Sequence, residues 1–234
     1  MNIEENLLAI EGRIQAACQR AGRDRSSVTL MAVTKGQPPE VVAEAARLGI
    51  TLFGENKVQE ARAKIGLCPS NCHWHLIGHL QSNKARDAVH FFEMIHSIDS
   101  LSLAAEVNRA AEKSGKTMPV LLEVNVAGES TKFGYNPGSL LAEIAALNAL
   151  PRLEIHGLMA MAPWSQDPEK ARPIFRKVRQ LKESLEQTLG APLPQLSMGM
   201  SGDFEAAVEE GATIVRIGTA LLGPRRSLIR PVGE

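Results

Sequence analysis

One unit recurs along nearly the whole chain: an apolar run of roughly five to eight residues, a polar or glycine break, and an amphipathic helical stretch of about ten. The strand-like runs fall at residues 28–34, 51–54, 73–77, 94–98, 120–126, 153–161, 196–200 and 213–217. Helical patterns lie between them at 39–48, 58–65, 83–89, 101–113, 139–150, 168–189 and 204–210. A leading helix precedes the first unit, with Ile3, Leu7, Ile10, Ile14, Ala17 and Cys18 at helical spacing and Gly22 as its stop. Eight strands alternating with helices, and no visible linker, predict an α/β fold in which residues 1–234 form a single (β/α)8 TIM barrel domain. A flavodoxin-like or Rossmann sheet is the alternative, but it would use only about five or six such units.

A barrel of this kind gathers its reactive groups at the carboxyl ends of its strands. Those ends carry Thr34-Lys35, Glu55-Asn56, Gly78-His79, Asp99, Asn125, residues 159–161, Ser201 and Gly218-Thr219. The last two are where barrels often hold phosphate. Ser201-Gly202-Asp203 precedes the helical stretch 204–210, so free N–H groups, a glycine and the Ser201 and Thr219 hydroxyls suit a dianionic phosphate. The plainer reading is that Ser201 or Asp203 caps a helix. Arg216 stands on one face of an apolar strand and needs an acceptor, either a carboxylate or an atom of a bound ligand. Lys35 closes the first strand before Gly36 and two prolines. An amine poised in a partly apolar mouth can react with an aldehyde, although a strand-end lysine is more often simply solvated.

Composition narrows the partners. With 26 basic and 26 acidic residues, nothing draws the chain toward nucleic acid or an anionic membrane, and small molecules are the expected ligands. Three cysteines without a secreted spacing point to reduced thiols, and the N-terminus has no secretory pattern, so a cytoplasmic location is expected. Cys68, Cys72, His73, His75 and His79 superficially suggest a metal site, but the spacing matches no familiar zinc pattern, and hydrogen-bonded histidines are the expected outcome. Residues 128–135, GESTKFGY, lack the Walker pattern and read as a rim loop around Lys132. Arg225, Arg226 and Arg230 read as a solvated basic tail.

Several blocks occur in order: AVTK ending at Lys35, FGENKVQE at 53–60, WHLIGHLQSNK at 74–84, VNVAGESTKFG at 124–134, GLMAMAP at 157–163, SMGMSGDFEAA and VRIGTALLG. Across nearly the whole chain they resemble the pyridoxal phosphate homeostasis protein family. The resemblance implies the alanine racemase N-terminal barrel and pyridoxal 5′-phosphate (PLP) held as a Schiff base. It also implies a part in intracellular vitamin B6 and amino-acid balance, without established catalysis. Position by position, the covalent lysine falls on Lys35, the phosphate-binding residues on Ser201, Gly218 and Thr219, and the ring-lining residues on Asn56 and Arg216, with Met200 and Gly202 in the phosphate loop. Lys57 and Gly202 depart from the residues frequent at their positions. A charged arginine at the pyridine nitrogen would leave it unprotonated and a poorer electron sink. A racemase would need a second acid/base group, and Tyr135 is the chain's one tyrosine. A PLP carrier serving PLP-requiring apoenzymes is therefore the expected function. A PLP-dependent enzyme such as a weak amino-acid racemase is the alternative, and a PLP-responsive regulatory binding protein is a third class. Barrel closure leaves no sheet edge to pair, so a monomer is expected.

Overall fold

The structure, a computed structural model, describes residues 2–129 and 133–224. Lys132, Arg225, Arg226 and Arg230 lie outside the described residues. Eight parallel strands close into a barrel in strict chain order: β1 Thr29–Val33, β2 Leu52–Glu55, β3 His73–Leu76, β4 Met94–Ile98, β5 Met118–Val124, β6 Leu153–Ala160, β7 Gln195–Ser197 and β8 Ile214–Ile217. Helices α1 Ile3–Arg20, α2 Pro39–Arg47, α3 Val58–Lys64, α4 Ala85–Phe91, α5 Leu101–Lys113, α6 Pro137–Asn148, α7 Arg172–Leu189, α8 Phe204–Glu209 and α9 Thr219–Leu222 complete the pattern. The predicted (β/α)8 architecture and its leading helix are present.

Two differences from the sequence expectation have local causes. The run at 196–200 yields a strand of only three residues, because Gly199 takes φ 92° and turns the chain out of the sheet. A β-carbon on Gly199 would lie 2.6 Å from Ala207 Cβ, so this glycine also lets α8 pack directly against the strand end. The stretch at 83–89 starts as a single 3₁₀ turn over Ser82–Lys84 before α4 begins.

Side-chain alternation along the strands separates two environments. On β1, Leu30 and Ala32 pack outward under the helices with Phe53, Trp74, Leu76, Val120 and Leu122, whereas Met31 and Val33 point into the barrel. The interior holds two small apolar groups, Met31, Val33, Ile77 and Ile214 on one side and Met94, Leu121 and Met159 on the other. Most of the hydrophobic stabilisation therefore lies in the outer layer between strands and helices. Helix α1 joins that layer through Ile10, Ile14, Ala17 and Cys18, capped by Asn2 accepting from the Glu4 N–H at 3.0 Å.

Phe53 lies fully buried in this layer with its ring centroid 5.4 Å from that of Trp74. Phe53→Ala should cost about 3–5 kcal/mol. A denaturant titration should show the loss as a lower midpoint with an unchanged slope.

Candidate functional site

Register places the site. Strand β8 pairs with β1 through Thr29↔Ile214, Leu30↔Val215, Met31↔Arg216 and Ala32↔Ile217, so the chain leaving β1 at Lys35 emerges beside the chain leaving β8 at Gly218. A cavity of about 210 Å³ opens there, and Lys35, Asn56, Met200, Ser201, Arg216, Gly218 and Thr219 all line it, with Val33, Ile77 and Met161 as its apolar wall. The seven residues assigned to a cofactor site from the sequence thus line one space. The Ser201 and Thr219 hydroxyls make no hydrogen bond among the described residues, and α9 starts at Gly218 without a side-chain cap. Asp203 does not cap α8 in the expected way: its Oδ1 turns back to accept from the Met200 N–H at 2.6 Å, which holds the 200–203 turn.

The Lys35 loop is held from behind. Thr34 donates its hydroxyl to Glu55 Oε1 at 2.7 Å, and buried Lys64 donates to both the Thr34 carbonyl, at 2.8 Å, and Glu55. Gly36 N–H reaches Glu60 at 3.2 Å, and the Gln37 side chain donates to the Gly223 and Pro224 carbonyls, both at 3.3 Å. Glu55 points outward from the barrel and Asn56 inward, as alternation requires. Gly78 allows the next strand end to approach: a β-carbon there would sit 2.2 Å from the Asn56 carbonyl oxygen.

Arg216 is 4% exposed, and no carboxylate among the described residues accepts from its guanidinium. It donates instead to the Ser197 carbonyl at 2.6 Å, the Ser197 hydroxyl at 2.7 Å and the Ala160 carbonyl at 2.9 Å. Carbonyl dipoles replace a partner anion. Burial lowers its pKa to about 10, opposed by the nearby Glu123 and Asp203 carboxylates, so it stays charged at neutral pH. The chain of contacts continues inward, from the Ser197 hydroxyl to His96 Nδ1 at 3.0 Å and from His96 Nε2 to His75 Nδ1 at 2.9 Å. Burial, with His73 as a smaller influence, lowers the His75 pKa to about 4, and the fully buried His96 is pushed well down by burial, His75 and Arg216. Both rings are neutral. Glu123, also inside the barrel, is pushed up to about 7 by burial and by Asp99, with Arg216 opposing.

The five-residue metal set expected from its spacing not to be a site is dispersed here. His73 pairs with Glu93 at 2.9 Å on the surface, His75 is in the hydrogen-bonded file, and His79 pairs with Asp99 at 3.2 Å. Cys18, Cys68 and Cys72 are all unpaired, and no group of three or more metal-ligating side chains occurs among the described residues. Tyr135 is 5% exposed and packs in the outer layer, where it does not line the cavity. No helix among the described residues is long and apolar enough to cross a membrane.

The sequence reading passed over His96, Ser197, Glu123 and Lys64. Alternation offered a signal for the first three, since Glu123, like Arg216, is a charge inside an apolar strand run.

Residues 6–226 match the alanine racemase N-terminal domain family. The chain is 44% identical over 227 residues to the pyridoxal phosphate homeostasis protein of Aquifex aeolicus (strain VF5), covering 97% of this chain and 100% of that one. The chain belongs to the pyridoxal phosphate homeostasis protein family. The family's Pseudomonas aeruginosa member is 42% identical over 226 residues, covering 95% of this chain and 96% of its own. PipY of Synechococcus elongatus PCC7942, solved with PLP bound, superposes with a TM-score of 0.82 at 39% identity, covering 94% of this chain and all of that one. An alanine racemase of Clostridium difficile 630 shares the fold, with a TM-score of 0.73 at 15% identity over 94% of this chain and 56% of its own.

The buried titratable groups give stability opposite slopes with pH. The folded His75 pKa of about 4 lies below its ordinary value of 6.5, so on acidification the unfolded chain takes up a proton first and stability falls between those values. Glu123 is raised from 4.5 to about 7, so the folded state holds its proton longer and stability falls as pH climbs through that window. Glu123→Gln should therefore be more stable than the parent at pH 8 by roughly 3 kcal/mol, with the difference vanishing near pH 4. His75→Gln should flatten the acid limb. Urea titrations across pH 4–8 would check both.

Proposed function

We propose that this chain is a PLP carrier: a single-domain protein that binds the cofactor at the barrel mouth, with Lys35 as the covalent anchor, and serves intracellular vitamin B6 and amino-acid homeostasis without catalytic turnover. The observation that carries the reading is one cavity lined by an amine, Lys35, two hydroxyls without partners among the described residues, Ser201 and Thr219, and a buried guanidinium, Arg216. The donor set fits the cofactor's chemistry. When bound, PLP supplies an aldehyde that a neutral amine captures reversibly.

Each residue's part follows from its position. The ties on Thr34, Gly36 and Gln37 fix the backbone on either side of Lys35, which limits the arc its amine sweeps. Ser201, Gly218 and Thr219 hold the phosphate end through hydroxyls and the uncapped start of α9, with Met200 in the same turn. Asn56 and Arg216 line the ring. Arg216, charged and held by carbonyls, would face the ring nitrogen as a hydrogen-bond donor and has no proton to give up at neutral pH. That discourages carbanion chemistry. Tyr135, whose ring is committed to the outer core, supplies no second base opposite Lys35.

The carrier reading extends to hand-over to PLP-requiring apoenzymes, by a monomer in the cytoplasm. A weak amino-acid racemase is the competing reading, supported by the fold shared with alanine racemase. Incubation with single enantiomers separates the two, because sustained inversion requiring both PLP and Lys35 would sink the carrier reading.

Adding PLP should raise a visible absorption band, and borohydride reduction followed by peptide mass analysis should locate the adduct on Lys35. Lys35→Ala should abolish the band. Ser201→Ala and Thr219→Ala should each weaken PLP binding by about tenfold, the loss of one charge-assisted hydrogen bond. An adduct on Lys84 or Lys132 with Lys35 unmodified would overturn the site.

A further inference from the structure

Arg216 is the donor-rich end of the interior file, and its chemistry gives that file a direction. A guanidinium only donates, so the Ser197 hydroxyl must accept from Nη1, at 2.7 Å. Ser197 is fully buried, and the acceptor within reach of its own proton among the described residues is His96 Nδ1, at 3.0 Å. A neutral imidazole that accepts at Nδ1 carries its proton on Nε2. His96 Nε2–H therefore donates to His75 Nδ1 at 2.9 Å, and His75 in turn carries its proton on Nε2. The order runs one way across the barrel, from β8 and β7 to β4 and β3. The same contacts fix what is left of the guanidinium. Three of its five N–H groups go to the Ser197 carbonyl, the Ser197 hydroxyl and the Ala160 carbonyl. Nε–H and one Nη2–H keep no partner among the described residues, on a side chain that lines the Lys35 cavity. A carboxylate partner would cancel the charge, whereas neutral acceptors hold the group and leave its charge in place. Glu123 and Asp203 are the carboxylates near Arg216, and His73 is the ionisable neighbour of His75; none of the three hydrogen-bonds to a member of the file.

We infer that Ser197, His96 and His75 are positioning residues for Arg216: the one-way file locks the guanidinium so that its unspent N–H donors and its charge meet the ring nitrogen of bound PLP and keep a proton off it. Ser197 acts by direct contact, His96 by giving the Ser197 proton an acceptor, and His75 by holding the His96 tautomer. If the His96 acceptor is lost, the buried Ser197 hydroxyl turns its proton elsewhere, its lone pair leaves Nη1, and the guanidinium is free to pivot. The inference rests on the carrier reading for its ligand, while the order of the file is a property of the PLP-free chain.

Two-bond nitrogen–proton correlation spectra of histidine-labelled, PLP-free protein at pH 7 should show His75 and His96 each as the Nε2–H tautomer. Nδ1–H on either ring, or a doubly protonated ring, would overturn the inference. With PLP labelled with nitrogen-15 in its ring, the resonance in the loaded parent should stay that of an unprotonated pyridine from pH 8 to pH 5. His96→Leu, which keeps the bulk but removes the acceptor, and Ser197→Ala should each bring a protonation step into that range, an upward shift of at least about one pH unit. His96→Asn, which keeps an acceptor beside the Ser197 hydroxyl, should restore the parent profile. A flat profile in both His96→Leu and Ser197→Ala would overturn the inference, since a merely structural loss lowers stability without touching ring protonation. Failure of Lys35 to capture PLP would instead remove the carrier reading, and the histidine tautomers would still decide the order of the file.

Discussion

Pairing of β8 with β1 is the constraint on which everything at the barrel mouth depends. The two strands are the most distant in sequence, yet four consecutive residue pairs hold them in register. That register puts the loop after β1 beside the loop after β8, and so lets Lys35, Ser201 and Thr219 line the same cavity. No local preference could achieve this. It requires the six intervening strands to accumulate the right stagger, which is why a shift in any of them would reach the site.

The interior polar file is the second organising element. Barrel interiors are usually filled by layers of branched apolar side chains. Here the two apolar groups inside the strands are small, and the file from Arg216 through Ser197 and His96 to His75 is hydrogen-bonded within the same interior. Such a file is favourable only because every member has a partner; a half-satisfied one would cost more than an apolar filling. The neutral histidines make it tolerable, because burying two imidazolium ions beside a guanidinium would be far more costly. The outer layer of helices, mostly apolar where it meets the strands apart from the buried Lys64, Glu55 and Thr34 contact, provides the stability that lets the interior carry polar groups.

Much of this was readable from the chain, and the parts that were not share a physical reason. Strand and helix alternation announced the barrel because each element must bury one face, and periodicity records which. Lys35, Ser201, Gly218 and Thr219 were readable because strand ends in a barrel converge on one rim, so a list of end residues is also a list of neighbours. Arg216's true acceptors were not, since backbone carbonyls leave no trace in residue identity. Lys64 was missed for a related reason: on α3 it looks like any solvated helix lysine, and only the packing of α3 on β2 sends it inward to Glu55 and the Thr34 carbonyl. His75 and His96 lie on different strands, and their contact depends on stagger that no local pattern encodes.

The single-file arrangement of Arg216, Ser197, His96 and His75 also bears on how a chain like this can drift. Replacing one member strands the donors or acceptors of its neighbours in a dry interior, so each single change is penalised whatever its eventual merit. Two or three compensating changes are needed before a new arrangement becomes tolerable. Lineages should therefore inherit the quartet intact or exchange it wholesale.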